Sequence, residues 1–130
     1  MGLSEHVVLD ASALLAAIRS EPGGAAVRER ARAGAISTVN LAEVLQAALR
    51  DGVAPSWVAD VLAALGVAVV PLTADDARRA AELREATRRN GLSLADRCCL
   101  ALAERLGATA LTADRAWLDA GHGVAVELIR

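Results

Sequence analysis

His6-Val7-Val8-Leu9-Asp10-Ala11-Ser12-Ala13-Leu14-Leu15-Ala16-Ala17-Ile18 joins two periodicities in one segment. Its first part, His6 to Leu9, is a short β-branched run, and after Asp10 the apolar residues Leu14, Leu15 and Ile18 recur at helical spacing through Ser20. A strand that turns into a helix at a carboxylate is the opening of an α/β unit. The alternation continues outward from there. Glu21-Pro22-Gly23-Gly24 breaks the helix, Ala25 to Ala33 is a second, charge-rich helix with Gly34 as its predicted C′ glycine, and Ala35 to Ser37 is a short strand. From Asn40, the stripe Leu41, Val44, Leu45, Ala48 and Leu49 marks an amphipathic helix ending at Asp51-Gly52. Pro55 opens another, with Trp57, Val58, Val61, Leu62 and Leu65 as its expected buried stripe.

Val67 to Val70, bounded by Gly66 and Pro71, reads as a central strand covered on both faces. Thr73 to Arg89 is predicted as one long helix stopped by Asn90-Gly91, and Ser93 opens the next, buried through Cys99, Leu102 and Leu106 and ended by Gly107. Thr109 to Leu111 is a strand, Asp114 to Ala120 a last short helix, and Val124 to Ile129 a last strand. No two strands are close enough for a hairpin, so the connections are right-handed crossovers. The expected fold is α/β: a three-layer α/β/α sandwich with a mainly parallel central sheet, residues 1–130 forming a single domain.

Composition narrows the function. At 55% hydrophobic residues, the 130-residue chain has apolar material enough for a core without disulfides or a structural metal. Aromatics make up 2%, with no Phe or Tyr, which removes the stacking platforms of many single-strand nucleic-acid binders, RRM and cold-shock domains among them. All 14 basic residues are Arg, so any mechanism that needs a Lys is excluded. A net charge of -2 argues against a histone-like DNA binder. The adjacent Cys98 and Cys99 point in different directions on a helix and read as small buried hydrophobes in a reducing compartment. Met1 to His6 has neither a basic nor an apolar signal region, and the apolar stretch Val61 to Leu72 is too short to span a bilayer. A soluble, cytoplasmic protein with no membrane association is expected.

Four acids occupy the places where a parallel sheet gathers its ligands: Asp10 after the first strand, Glu43 and Asp96 near the starts of helices, and Asp114 after the Leu111 strand. Each also has a purely structural reading. Asn40-Leu-Ala-Glu43 and Ser93-Leu-Ala-Asp96 fit the capping-box spacing, and Asp10 and Asp114 can be helix caps. Taken together they present an electrostatic problem. Carboxylates about 6 Å apart repel by about 3 kcal/mol per pair at an effective dielectric of about 20, roughly 15 kcal/mol for all pairs, against helix-dipole relief of about 0.3–1 kcal/mol each. A bound cation or partial protonation must offset this. An all-oxygen donor set suits Mg²⁺ or Mn²⁺ rather than Zn²⁺, and His6 and His122 each stand alone.

The segments Val-Leu-Asp10-Ala-Ser12, Ser-Thr-Val-Asn40-Leu-Ala-Glu43-Val, Gly-Leu-Ser93-Leu-Ala-Asp96-Arg and Leu-Thr112-Ala-Asp114-Arg-Ala-Trp117 resemble those of the PIN-domain ribonucleases, specifically VapC-type toxins of bacterial VapBC toxin–antitoxin pairs. The resemblance runs from about Val7 to Arg130, with no departure in the acidic set. It implies that Asp10, Asp96 and Asp114 line a Mg²⁺ or Mn²⁺ site, that Glu43 binds directly or through water, and that Ser12, Asn40 and Thr112 orient the carboxylates or the attacking water. The implied activity is metal-dependent endoribonuclease hydrolysis leaving 5′-phosphate and 3′-hydroxyl ends. The implied partners are an RNA substrate, a VapB-type antitoxin whose basic side chain reaches the acidic site, and a second copy of the toxin in a homodimer.

Arg97 and Arg115 adjoin expected ligands and are candidates to hold RNA, as are Arg78, Arg79, Arg84, Arg88 and Arg89. The spacings Arg78–Glu82 and Glu85–Arg89 equally describe an ordinary solvated helix face. Asp119 follows Arg115 by about one helical turn and either joins the acidic edge or is solvated. Leu14, Leu15, Ile18 and the Asn40 and Pro55 helices carry surplus apolar surface, and Trp57 belongs either to a groove for an antitoxin helix or to the core. A receiver-like phosphoacceptor is excluded by the missing Lys. A haloacid-dehalogenase-like phosphatase is disfavoured because Ser12 stands where its second Asp is required, and no Gly-rich phosphate loop follows any strand. The alternative of a different class is a non-catalytic PIN-like RNA-binding or protein-interaction module.

Overall fold

The computed structural model describes residues 6–130, so the reading of Met1 to Glu5 as free of a signal region lies outside the described residues. The five strands are β1 (Val7–Leu9), β2 (Ala35–Ser37), β3 (Ala68–Val70), β4 (Thr109–Thr112) and β5 (Val126–Leu128), and every pairing is parallel. Seven α-helices are described: α1 (Ala11–Arg19), α2 (Gly24–Arg30), α3 (Thr38–Arg50), α4 (Pro55–Leu65), α5 (Ala74–Glu82), α6 (Arg84–Thr87) and α7 (Leu94–Leu106). Short 3₁₀ turns occupy Arg88–Asn90 and Arg115–Trp117. None of the described helices is long and apolar enough to cross a membrane.

The strand order is β3-β2-β1-β4-β5. Chain direction from β1 runs one way to β2 and β3 and the other way to β4 and β5, which opens a crevice at the carboxyl ends of β1 and β4. Alternation along β1 divides the core in two. Val7 and Leu9 pack with α1 to α4 through Leu14, Val27, Val44, Val58 and Leu62, whereas Val8 faces Leu100, Leu102 and Trp117 on the opposite side. Helices on both faces of a parallel sheet make the three-layer sandwich that the sequence alternation requires.

Several local expectations are corrected. Val67–Val70 is not a covered central strand: β3 is the sheet edge, with Ala68 and Val69 exposed. Its β-branched run instead walls a groove on the α3–α4 side. The left-handed residue after α2 is Ala33 (φ 61°), not Gly34. Gly34 is needed for space, since a Cβ there would stand 2.8 Å from the Ala31 carbonyl oxygen, against Val7. The predicted helix over 73–89 is broken at Leu83 into α5, α6 and a 3₁₀ turn, which leaves Glu85 facing Arg88 rather than Arg89. The predicted helix over 114–120 is only a 3₁₀ turn, and Leu106, expected buried, is exposed.

Candidate active site

The crevice is built from the ends of β1 and β4 and the first turns of α3 and α7. Asp10 directly follows β1 and is the N-cap of α1, its Oδ1 accepting the Ala13 amide at 2.8 Å. That same oxygen accepts the Ser12 hydroxyl at 2.7 Å, and Oδ2 accepts the Thr112 hydroxyl at 2.6 Å. Three donors on a carboxylate with about four acceptor positions leave roughly one for a ligand. Asp10 is only 5% exposed. Burial, outweighing those hydrogen bonds, raises its carboxyl pKa to about 6, with the Asp96 charge adding to the rise.

Thr112, buried at the end of β4, couples the two strands: besides donating to Asp10, its Oγ1 accepts the Asp114 amide at 3.0 Å. Ser12 does the same from the first turn of α1, its Oγ accepting the Ala113 amide at 2.9 Å. Asp114 is exposed and caps the following turn through the Ala116 amide at 2.9 Å. On α7, Asp96 forms a reciprocal capping box with Ser93, at 2.8 and 3.1 Å, as its spacing predicts. Burial raises the Asp96 carboxyl pKa, and Asp114 contributes in the same direction. The electrostatic chain thus runs Asp114 to Asp96 to Asp10. Desolvation, rather than the mutual repulsion expected from the sequence, is the leading cause at both shifted acids.

The second expected capping box does not exist. Ser37 caps α3, accepting the Val39 amide at 3.2 Å, because the helix starts at Thr38, before Asn40. Asn40 is therefore a buried helical residue, and its Nδ2 donates to both Glu43 Oε1 and the Ala95 carbonyl, each at 3.1 Å. It ties the exposed Glu43 to the first turn of α7, beside Asp96, and its own Oδ1 is buried without a partner. Cys99 records the convergence: burial first, then the charges of Asp10, Asp96 and Glu43, push its thiol well above the ordinary range. Cys98 and Cys99 are both free and buried, as expected of small hydrophobes.

Around this centre the structure separates the remaining candidates. Arg97 does not face solvent to meet RNA: it is buried, and its Nη1 donates to the Ala80 carbonyl at 2.8 Å, next to the break in the α5–α6 helix. Arg78 pairs with Glu82, and Arg79 with Glu104. Arg84, Arg89 and Arg115 are exposed. Asp119 is exposed beyond the 3₁₀ turn. His122, for which no sequence signal predicts a place, is a buried structural residue, its Nδ1 accepting the Val124 amide at 3.0 Å and its Nε2 donating to the Trp117 carbonyl at 2.8 Å. The packing signal for it is the apolar Trp117, which the turn buries completely.

The donor set suits a hard cation, being carboxylate oxygens with no imidazole and only neutral, buried thiols nearby. Among the described residues no three His, Cys, Asp or Glu side chains stand close enough to enclose an ion by themselves. Mg²⁺ ordinarily uses one or two carboxylates and keeps several waters, so the site fits a hydrated cation and not a closed zinc cage.

The PIN domain family profile matches residues 7–123, the span that carries all four acids. The chain belongs to the PIN domain family. No curated protein sequence matches the chain. Among solved structures, a toxin–antitoxin complex from Klebsiella pneumoniae is similar with TM-score 0.75 and 19% identity, covering 95% of this chain and 98% of that one. A member of the VapBC family of toxin–antitoxin systems from Mycobacterium tuberculosis is 26% identical with TM-score 0.61, covering 98% and 99% of the two chains. A sarcin-ricin loop cleaving VapC toxin from the same organism is 20% identical with TM-score 0.59, covering 80% and 86%. As a PIN domain, the chain has its acidic crevice at the switch point where such a sheet binds ligands.

Proposed function

We propose that this PIN domain is a Mg²⁺- or Mn²⁺-dependent endoribonuclease, acting in the cytoplasm as the toxin of a type II toxin–antitoxin pair. The observation that carries the reading is the Thr112 hydroxyl, which donates to Asp10 and accepts the Asp114 amide across the β1–β4 crevice. Capping alone gives no reason for a buried hydroxyl to lock two acids together. Asp10, Asp96 and Asp114 hold the cation, and Glu43, with one oxygen on Asn40 and the other uncommitted, binds it directly or through water. When bound, the cation supplies an activated water and charge neutralisation at the phosphate. Ser12 and Thr112 fix the Asp10 carboxylate, and Asn40 fixes Glu43, so the acids meet substrate in one arrangement. In-line hydrolysis there leaves 5′-phosphate and 3′-hydroxyl ends, and the exposed Arg84, Arg89 and Arg115 are the cations that receive the RNA backbone.

The partner reading rests on a groove of about 300 Å³ lined by Leu41, Leu45, Val58, Leu62, Val67 and Val69. An apolar trough beside a sheet edge suits the apolar face of an antitoxin helix, and Trp57 on α4 is 45% exposed rather than part of the core. The similarity to toxin–antitoxin structures supports the same antitoxin assignment. The test is cleavage of a structured RNA with and without EDTA, with and without the co-expressed antitoxin. Cleavage abolished by EDTA, by Glu43→Gln and by antitoxin, with Glu43→Gln as stable as wild type, is the expected result. A metal-binding protein that leaves RNA intact would identify the non-cutting PIN-like module instead. Activity undiminished by antitoxin would overturn the toxin role and leave the nuclease one.

A further inference from the structure

The connection between β4 and β5, residues 113–125, carries Asp114 yet holds no regular element beyond one 3₁₀ turn. Arg115, Leu118, Asp119, Gly121 and Gly123 are exposed along it, and its buried anchors are Trp117, Ala120 and His122. Trp117 supplies packing without a polar tie, since its indole N–H is buried with no partner among the described residues. His122 supplies the tie. Its Nε2 donates to the Trp117 carbonyl at 2.8 Å, and its Nδ1 accepts the Val124 amide at 3.0 Å. A backbone amide only donates and a carbonyl only accepts, so these partners leave a single role for each ring nitrogen. The bond to Trp117 leads on to Asp114. The Trp117 amide donates to the Asp114 carbonyl at 3.2 Å, and the Ala116 amide to Asp114 Oδ1 at 2.9 Å. Upstream, Thr112 Oγ1 accepts the Asp114 amide at 3.0 Å, so Thr112 fixes where the turn begins and His122 where it ends. Downstream, Val124 adjoins Ala125, whose carbonyl accepts the Ala110 amide of β4 at 2.9 Å, and the ring thereby ties the turn to the sheet.

We propose that His122 is a positioning residue for Asp114: its ring bridges the Asp114 turn to the approach to β5 and so sets how the Asp114 carboxylate meets a divalent cation. The inference rests on the metal-site reading above and extends it to a residue far outside the acidic set. The Asp114 carboxylate is exposed, and its only described hydrogen bond is to the Ala116 amide of that turn, so a displaced turn carries the carboxylate with it. An exposed carboxylate without such a brace samples several orientations, and that freedom is lost on binding the cation.

The experiment compares two variants that each keep one of the two ring bonds. In His122→Gln the longer amide reaches the Trp117 carbonyl as a donor and gives up Val124, whereas in His122→Asn the shorter amide accepts from Val124 and gives up Trp117. His122→Met, of similar volume with no polar ends, replaces the Asn variant if that protein does not fold and should match it at Ala116 and Trp117. The first readout is amide hydrogen exchange of the metal-free full chain. The Ala116 and Trp117 amides should exchange about ten times faster in His122→Asn than in wild type and near the wild-type rate in His122→Gln, with the Val124 amide showing the reverse pattern. The second readout is calorimetric titration with Mn²⁺. His122→Asn should bind about three- to tenfold more weakly, less than the roughly ten- to hundredfold of a group bonded directly to a metal ligand, and His122→Gln within about twofold of wild type. In an Asp114→Asn background, His122→Asn should cost no further affinity. Equal exchange and equal affinity in the Gln and Asn proteins, or an undiminished loss in the Asp114→Asn background, would reduce His122 to loop packing and overturn the proposal. A wild type that binds no Mn²⁺ would overturn the metal-site reading together with this role, whereas a binding wild type with an unaffected Asn variant would overturn the role alone.

Discussion

Replacing Asp10 by Asn should make the metal-free protein more stable at neutral pH. Asp10 is 5% exposed, and its carboxyl pKa rises from 3.8 to about 6 on folding. The folded state therefore holds the proton more tightly than the unfolded state, so the stability linked to Asp10 is complete below pH 3.8 and is lost as pH rises through about 6. A shift of that size corresponds to about 3 kcal/mol by neutral pH. Asn removes the charge but turns one donor toward the Thr112 hydroxyl, which itself donates to Asp10; that mismatch costs about 1 kcal/mol. The net expectation is a gain of about 1–3 kcal/mol at neutral pH, or about 4–12 °C in melting temperature. The assay is unfolding followed by circular dichroism in EDTA across about pH 4.5 to 7.5. Wild type should weaken toward the upper end, and Asp10→Asn should show a shallower decline, the remainder coming from Asp96, whose pKa is also raised. An Asp10→Asn protein less stable than wild type at every pH with the same slope would show that the cap and hydroxyl bonds, not buried charge, govern this residue.

Thr112→Val keeps the shape but deletes the hydroxyl that serves Asp10 and the Asp114 amide; it should cost about 1–3 kcal/mol and reduce cleavage more than it reduces Mn²⁺ affinity, read by unfolding and calorimetry. Arg105→Ala should destabilise by about 1–2 kcal/mol at neutral pH, because its guanidinium holds the buried Asp76 below the usual carboxylate range at 2.8 and 2.9 Å, with a discount for the partly exposed arginine. That loss should shrink in acid, as protonation of Asp76 removes what Arg105 stabilises. Val44→Ala, in the buried stripe of α3, should cost more than Leu45→Ala, since Leu45 is half-buried and lines the open groove; equal losses in urea unfolding would mean the groove is closed in solution.

The α/β alternation and the order of the acids were legible because they depend on local signals: β-branched runs, helical stripes, and Ser93 three residues before Asp96. Where expectation failed, long-range packing decided. Val67 to Val70 reads like a central strand, but apolar character does not distinguish a strand covered by helices from an edge strand beside a groove. Asn40 imitates a cap in sequence, yet β2 runs into α3 so tightly that Ser37 takes that place and Asn40 is turned inward to Ala95, 55 residues away. The burial of Arg97 had no signal in the sequence at all, because nothing local distinguishes an arginine that reaches the Ala80 carbonyl from one in solvent.

The Thr112–Asp10 bond joins residues 102 positions apart, and β4 is inserted between β1 and β5. Contacts of such sequence separation form late, after loop closure has been overcome. A nascent chain whose first half has folded can pair β1 with β2 and cover them with α1 and α3, yet it presents only Asp10 and Glu43, the former held by Ser12 on Oδ1 but lacking the Thr112 hydroxyl on Oδ2. The crevice is therefore assembled only once Asp114 has emerged from the ribosome. On the proposed nuclease reading, a chain built in this order would be unable to attack RNA during most of its own synthesis, and a truncated product of an interrupted round of translation would be harmless.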